Sequence, residues 1–282
     1  MNSSKSLLDH IKESLQAGHT RLPALSPTAM KMQSELGREE PDLKTIEKLV
    51  IQDQALTSQI LKLANSAFYK GLQTVDSIQQ ALIRLGLSEV TNLVTLVTQK
   101  ANYHARDPQM QELLRVLWRH SVACAFGAKW LAKKCGFNDL VQDAFLAGLL
   151  HDIGSLFIAT VIDDIREQGK IKQQIAPSLI QEVVHTLHPR LGHSVMKAWN
   201  LPDKFCTVAR DHHKEEFDSK NYLLTVVRLA DKTCNKLNIG NEPATDIMLT
   251  ATQECLLLGL SEVDIAELEV RLEDAAGLIQ NI

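Results

Sequence analysis

Five of the ten histidines in this 282-residue chain, His120, His151, His188, His212 and His213, fall within 94 residues, near the acids Asp152 and Asp231. Imidazole and carboxylate are ligands suited to Fe, Mn, Zn and Ni. His151-Asp152 closes the segment Ala144-Phe145-Leu146-Ala147-Gly148-Leu149-Leu150, which is apolar all round and therefore predicted to be a buried helix. Two polar groups at its end need partners, because desolvation without them is expensive. A divalent cation satisfies both, and so does a His–Asp hydrogen-bonded pair tying two helices together. Asp231 stands among Val226, Val227, Leu229 and Ala230 as a buried carboxylate by the same logic. His120 follows Leu113, Leu114, Val116, Leu117 and Trp118 on a helix with an apolar face. His212 and His213 are adjacent, about 100° apart on a helix, so both reach one site only near a helix end. Otherwise one faces inward and the other solvent. His10, His19 and His104 read as packed or surface residues.

The elements that must position these groups are helical almost throughout. Leu7, Leu8, Ile11 and Leu15 fall at helical spacing before Gly18, and Leu22-Pro23-Ala24-Leu25-Ser26-Pro27 is a break. Ser26 or Pro27 opens the next helix, which stops at Gly37. Asp42 caps a helix carrying Leu43, Ile46, Leu49 and Val50, and Asp53 caps one carrying Leu56, Ile60, Leu63 and Ala64. Ser77 begins a helix that runs to Gly86, and Ser88 with Glu89 begins another through Val97. The β-branched run Leu93–Thr98 suits a strand by propensity, but its neighbours read as helices, so a buried helix is expected. Residues 102–108 form a joint between an N-terminal helical subdomain, 1–106, and a second, 107–282. In the latter, helices are expected near 109–134, 139–150, 155–167, 177–199, 202–212, 220–237, 243–258 and 262–280. Leu268 and Leu272 are core candidates in the last of these, a stretch suited either to padding the core or to a homodimer contact.

Composition agrees. Apolar residues are 45% and charged residues 23%, enough to build a core without disulfides. The 13 glycines and 8 prolines are about 7% of the chain against a usual ~12%, which argues for long helices over many tight turns. A net charge of −4 gives no global positive field for nucleic acid or an anionic membrane. The one adjacent basic pair, Lys133-Lys134, reads as a solvated helix face. No apolar run approaches the ~18–20 residues of a membrane span, and Met1-Asn-Ser-Ser-Lys does not lead into a signal-peptide core. Cys124, Cys135, Cys206, Cys234 and Cys255 are scattered, form no CxxC pair and read as free thiols in a cytoplasmic protein.

His120, then His151-Asp152, then Asp231 resembles the HD superfamily of metal-dependent phosphohydrolases, which are all-helical. Leu22-Pro-Ala-Leu, the stretch Ile51-Gln-Asp-Gln-Ala-Leu to Ala67-Phe-Tyr, and Ile78-Gln-Gln-Ala-Leu-Ile-Arg-Leu-Gly sharpen this into a resemblance to the HDOD domain of bacterial signalling proteins. It covers roughly residues 15–237 and continues through His188-Pro-Arg-Leu-Gly192, Trp199-Asn-Leu-Pro202 and His212-His213. The resemblance implies an all-α fold, an N-terminal helical bundle packed on an HD-type helical core. It implies a first metal held by His120, His151, Asp152 and Asp231, with His151 and Asp152 central to catalysis. It also implies a second metal held by His188, His212 and His213, with Asp152 bridging. Two such ions ~3.5–4 Å apart activate a water for in-line attack on phosphorus. His185 and His193 lie near His188 on the same helix, His185 one turn back as a supporting residue.

Two departures matter. Relatives that hydrolyse cyclic dinucleotides carry Lys after His-Asp-x-Gly, where this chain has Ser155, so a cation that would steady a phosphoryl oxyanion is absent. No Gly-Tyr-Pro follows His212-His213, and cyclic-di-GMP hydrolysis is disfavoured. Two readings follow: a phosphohydrolase with one or two divalent ions acting on a nucleotide or other phosphoester, or a non-catalytic signalling module that senses a ligand or binds a protein partner. A nucleic-acid binder is disfavoured by the acidic charge and the lack of a basic stripe.

Overall fold

The computed structural model describes residues 26–278 apart from 39, 70, 72, 172–174 and 241–243, together with 7, 9, 11 and 13. The helix expected before Gly18 and the break at 22–25 lie largely outside the described residues, as do His10 and His19. The fold is all-α, with no strand among the described residues. They divide into two compact units, one of 103–272 with the described residues of 1–23, the other of 26–102 with 273–278.

In the smaller unit, α1 (Pro27–Leu36), α2 (Leu43–Ile51), α3 (Gln54–Ala64) and α4 (Ile78–Leu85) open on side-chain caps from Ser26, Asp42, Asp53 and Ser77, as expected. The next helix differs from expectation. α5 (Leu87–Lys100) starts at Leu87, and Gly86 is both the end of α4 and the cap of α5, with φ of 83°. Only glycine reaches that conformation cheaply, so the chain turns between two helices without a loop. α5 is the buried axis of this unit, contacted by α1, α3 and α4. Its β-branched run is helical despite its propensity. Thr91, Thr95 and Thr98 each return a hydroxyl to the carbonyl four residues back, at 3.0, 2.9 and 2.8 Å, which satisfies them inside an apolar core.

The larger unit holds α6 (Pro108–Lys134), α7 (Val141–Leu150), α8 (Ile153–Glu167), α9 (Pro177–Ala198), α10 (Asp203–Asp211) and α11 (Tyr222–Lys236). α12 (Gln253–Leu258) and the first turns of α13 (Glu262–Leu278) complete it. The helix expected over 243–258 is only α12. Thr252 is extended (ψ 148°) and caps α12 by accepting the Cys255 N–H, so the helix cannot continue upstream. Leu268 and Leu272 are fully buried and lie against Gly127 of α6, so α13 pads this core.

Two helix crossings depend on glycine. A Cβ at Gly148 of α7 would stand 2.7 Å from the Cys124 carbonyl oxygen of α6. A Cβ at Gly154 of α8 would fall on the His188 carbonyl oxygen of α9 and 2.7 Å from the Gly192 amide nitrogen. Backbone therefore meets backbone at both crossings. Asp163, near the other end of α8, accepts the backbone N–H groups of Arg106 and Asp107 at 3.1 and 2.7 Å and fixes the start of α6.

The expectation that no stretch reaches membrane-spanning length needs correction. Asn138–Glu167 is long and apolar enough, because α7 and α8 follow one another across only His151 and Asp152. Its apolar window is 89% buried inside the larger unit.

Candidate metal centre

The seven residues come from separate helices and converge. His120 lies midway along α6, His151 and Asp152 occupy the break between α7 and α8, and His188 sits on α9. His212 and His213 follow the end of α10, and Asp231 lies on α11. One ligand atom from each of Asp152, His188, His212 and His213 lies within 4.8 Å of the others, and the same holds for His120, His151 and Asp231. His212 is buried, whereas the His213 side chain is 30% exposed, so the tandem pair meets the site at a helix end with one ring partly open.

Backbone carbonyls orient four of the rings. His120 Nδ1 meets the Ile239 carbonyl at 2.8 Å, His151 Nδ1 that of Gly148 at 2.8 Å, and His188 Nδ1 that of Val184 at 2.9 Å. His212 Nδ1 meets the carbonyls of Ala209 and Val208 at 2.9 and 3.2 Å. A carbonyl only accepts, so each Nδ1 carries a proton, and in the neutral form each ring turns an Nε2 lone pair inward. Those Nε2 atoms crowd in two pairs: His120 and His151 at 3.1 Å, His188 and His212 at 3.2 Å.

Asp152 stands between the pairs. Its Oδ1 lies 3.3 Å from Nε2 of both His188 and His212 and 3.7 Å from that of His151, and its Oδ2 lies 3.8 Å from His120 Nε2. That Oδ1 is buried and accepts no well-angled hydrogen bond from the described residues. Asp231 Oδ1 is 3.3 Å from His120 Nε2 and accepts the Asn235 side-chain amide at 3.1 Å, and its Oδ2 is 3.9 Å from His213 Nδ1. An orphaned carboxylate oxygen facing imidazole lone pairs is a donor set able to hold a metal ion.

Electrostatics follow from this crowding. Burial alone would raise both carboxyls, but the facing imidazoles outweigh it and hold Asp152 and Asp231 below the ordinary carboxylate range. Burial pushes His212 down to about 3 and lowers His151, in each case against the pull of Asp152. Burial also opposes charge on His120, but Asp231, with Cys234, outweighs it and raises that imidazole well above its usual value.

Two hollows adjoin the group. A small one of about 20 Å³, lined by His120, Asp152, Ser155, His188, His213 and Asp231, has room for an ion or a water and little else. A larger cavity of about 730 Å³ opens beside His185, His213, Lys214, Asp231, Lys232 and Asn235. His185 is exposed, its ring centroid 6.1 Å from that of His213. His193 is half-buried and lines neither hollow.

Sequence reasoning missed the support. Asn235 is one helical turn after Asp231 and was legible by spacing. The Ile239 carbonyl was not, since an acceptor on the main chain carries no residue identity. Gly240 is part of the same support: a Cβ there would stand 2.9 Å from His120 Nδ1. Gly240→Ala should therefore push His120 off the Ile239 carbonyl. The expected result is about tenfold weaker ion binding, the size of effect typical of such supporting contacts, with a melting temperature within a few degrees of wild type. Competition titration and thermal unfolding read the two quantities, and an unchanged affinity would show that this loop does not set the ring.

The HDOD domain family profile matches residues 22–215. An uncharacterised protein of Treponema pallidum (strain Nichols) is 26% identical over 235 residues, 80% of this chain but 44% of its own length, so the chain spans less than half of that relative. An HDOD domain protein of unknown function from Geobacter sulfurreducens superposes with a TM-score of 0.76 at 22% identity, covering 96% of this chain and 97% of its own. A Shewanella amazonensis SB2B protein, whose name proposes a metal-dependent phosphohydrolase, superposes with a TM-score of 0.69 at 23% identity over 96% and 97%. At these identities the likeness is one of fold.

Proposed function

This chain belongs to the HDOD domain family, and from that premise we propose that it is a metal-dependent phosphohydrolase acting on a nucleotide or another phosphoester. The observation that carries the reading is the pair of Nε2–Nε2 approaches, 3.1 and 3.2 Å, on either side of Asp152. With the Nδ1–H groups of His188 and His212 committed to carbonyls, their facing Nε2 lone pairs repel unless a cation sits among them, and the His120–His151 pair is relieved only by a cation or by a second proton on His120. His120, His151 and Asp231 would hold one ion, and His188, His212 and His213 a second, with Asp152 facing both. Fe, Mn, Zn and Ni all suit these donors. Such ions, when bound, supply Lewis acidity toward a phosphoryl oxygen and lower the pKa of a water.

The chain's own part is to hold and orient. Carbonyl-anchored rings keep their Nε2 atoms aimed without reorganisation, and the buried His151 and half-buried Asp152 at the centre are the residues whose loss ends catalysis. The small hollow has room for an ion, and the phosphoryl group would reach it from the larger cavity, since His213 and Asp231 line both. The larger cavity takes the organic part of the ester. The test is metal analysis of the purified chain, followed by a screen of phosphoesters and cyclic nucleotides with Mn or Fe added. Turnover absent from a His151→Ala/Asp152→Ala control supports the reading. Metal-loaded protein with no turnover above that control rejects it.

A proton should leave as the ion enters. Asp231, 3.3 Å from His120 Nε2, favours a proton on that nitrogen in the ion-free protein, and a ligand nitrogen cannot keep it. Affinity should therefore rise with pH through the neutral range, by about tenfold per pH unit for one displaced proton. Titration with Mn in two buffers of different ionisation enthalpy reads the proton directly. A pH-independent affinity with no proton release would contradict this account.

A second reading, a non-catalytic signalling module, is favoured by the cations of the larger cavity. Lys214 pairs with Asp211 at 2.8 Å, and Arg228 and Lys232 both pair with Glu254 at 2.7 Å, so the cavity's lysines and arginine are committed to carboxylates. On this reading the exposed Met30, Ile51 and Ile83 of the smaller unit belong to a partner surface. Partner capture lost on their replacement by serine, yet indifferent to His151→Ala/Asp152→Ala, would favour it. Capture unaffected by the serines would count against it.

A further inference from the structure

We propose that Arg228 and Glu254 are positioning residues for the ion held by Asp152, His188, His212 and His213, and that carrying Glu254 is what the short helix α12 contributes; the inference rests on the two-ion reading above. Arg228 lies on α11, three residues before Asp231, and is 4% exposed. Its Nη1 donates to the carbonyls of Asp211, His212 and Lys214 at 3.2, 2.7 and 2.7 Å. These are the carbonyls of the last residue of α10, of its cap His212 and of Lys214 just beyond. A helix leaves its last carbonyls unsatisfied and presents negative charge there, so a buried guanidinium both satisfies and attracts that terminus. The Phe217 ring, 4.1 Å from the guanidinium carbon, covers its face.

Glu254 holds the guanidinium in place. It is fully buried, accepts Arg228 Nε at 2.7 Å, and takes Lys232 Nζ on both oxygens at 2.8 and 2.7 Å. Arg228 and Lys232 bracket Asp231 on α11. Through Arg228, one carboxylate of α12 therefore fixes the chain segment that carries His212 and His213, while Asp231 keeps a partner of its own, the Asn235 side-chain amide at 3.1 Å. The histidines of the other ion group rest on different supports, the carbonyls of Ile239 and Gly148. Stability alone does not require this cluster, because a buried ion pair is often replaced by apolar residues of similar volume without loss. Apolar residues cannot hold three carbonyls in one arrangement.

The asymmetry makes the test selective. Full-length chains, stripped of metal, are loaded with Co(II), and ions per chain and the visible spectrum are recorded beside the metal-free melting temperature. Arg228→Lys keeps the charge but not the planar fork. Arg228→Met/Glu254→Met removes both charges of the pair together; it frees Lys232, whose side chain is 30% exposed, to solvent and leaves the three carbonyls without their guanidinium donor. Both are expected to lose one ion's spectral contribution, with binding of that ion weakened at least tenfold, while the other ion binds as in wild type. Folded variants that bind two ions at wild-type affinity would overturn the proposal while leaving the two-ion reading intact. Equal weakening of both ions, or failure of both variants to fold, would place the pair in general stability and overturn it too. A wild-type chain that takes up fewer than two ions removes the two-ion reading and this inference together.

Discussion

Gly154→Ala is expected to lower the stability of the larger unit by about 3 kcal/mol or more, at the upper end of overpacking costs, and to disable ion binding at the same time. The added methyl would coincide with the His188 carbonyl oxygen and approach the Gly192 amide nitrogen to 2.7 Å. Neither atom can rotate away as a side chain would, so α8 and α9 must separate. Their separation moves His188 from Asp152, now 3.3 Å away. For a unit of this size the melting temperature should fall by roughly 6–12 °C. Gly277→Ala is the control: it is exposed on α13 with nothing within 4 Å of an added Cβ, and should be neutral or stabilising by up to about 1 kcal/mol. A Gly154→Ala chain that melts with wild type and binds ions normally would show that the crossing is not as close as described.

Asp152→Asn should weaken ion binding by a hundredfold or more while leaving the metal-free fold nearly unchanged. The substitution keeps shape and volume but replaces the anionic oxygen that faces the Nε2 atoms of His151, His188 and His212. An amide is a poor ligand for these ions, and Asp152 faces both groups, so both suffer. An ion at a hundred times its dissociation constant adds about 2.7 kcal/mol to stability. Wild type should gain that much on Mn addition and the variant almost none. Equal stabilisation of the two proteins would mean that the ion binds elsewhere.

Much of this was legible in the sequence because desolvation leaves a mark there. His151-Asp152 at the end of an all-apolar segment and Asp231 in the midst of another had to be satisfied by partners, and Ser26, Asp42, Asp53 and Ser77 signalled helix starts through cap chemistry. What escaped was whatever depends on tertiary geometry. The carbonyls of Gly148, Val184, Ala209 and Ile239 set the ring orientations, yet any residue offers a carbonyl. Glu254 lies 26 residues after Arg228, and no local pattern joins them. The early start of α5 and the shortened α12 follow from the backbone angles of Gly86 and Thr252. The constraint on Gly154, an approach to α9, needs the second helix in view.

The apolar stretch Asn138–Glu167 has a consequence for the newly made chain. It leaves the ribosome before α9, α10 and α11, the helices that later cover it. For that interval the faces of α7 and α8 that α6 does not cover can meet any hydrocarbon at hand, another nascent copy included, so recovery from denaturant should drop as protein concentration rises.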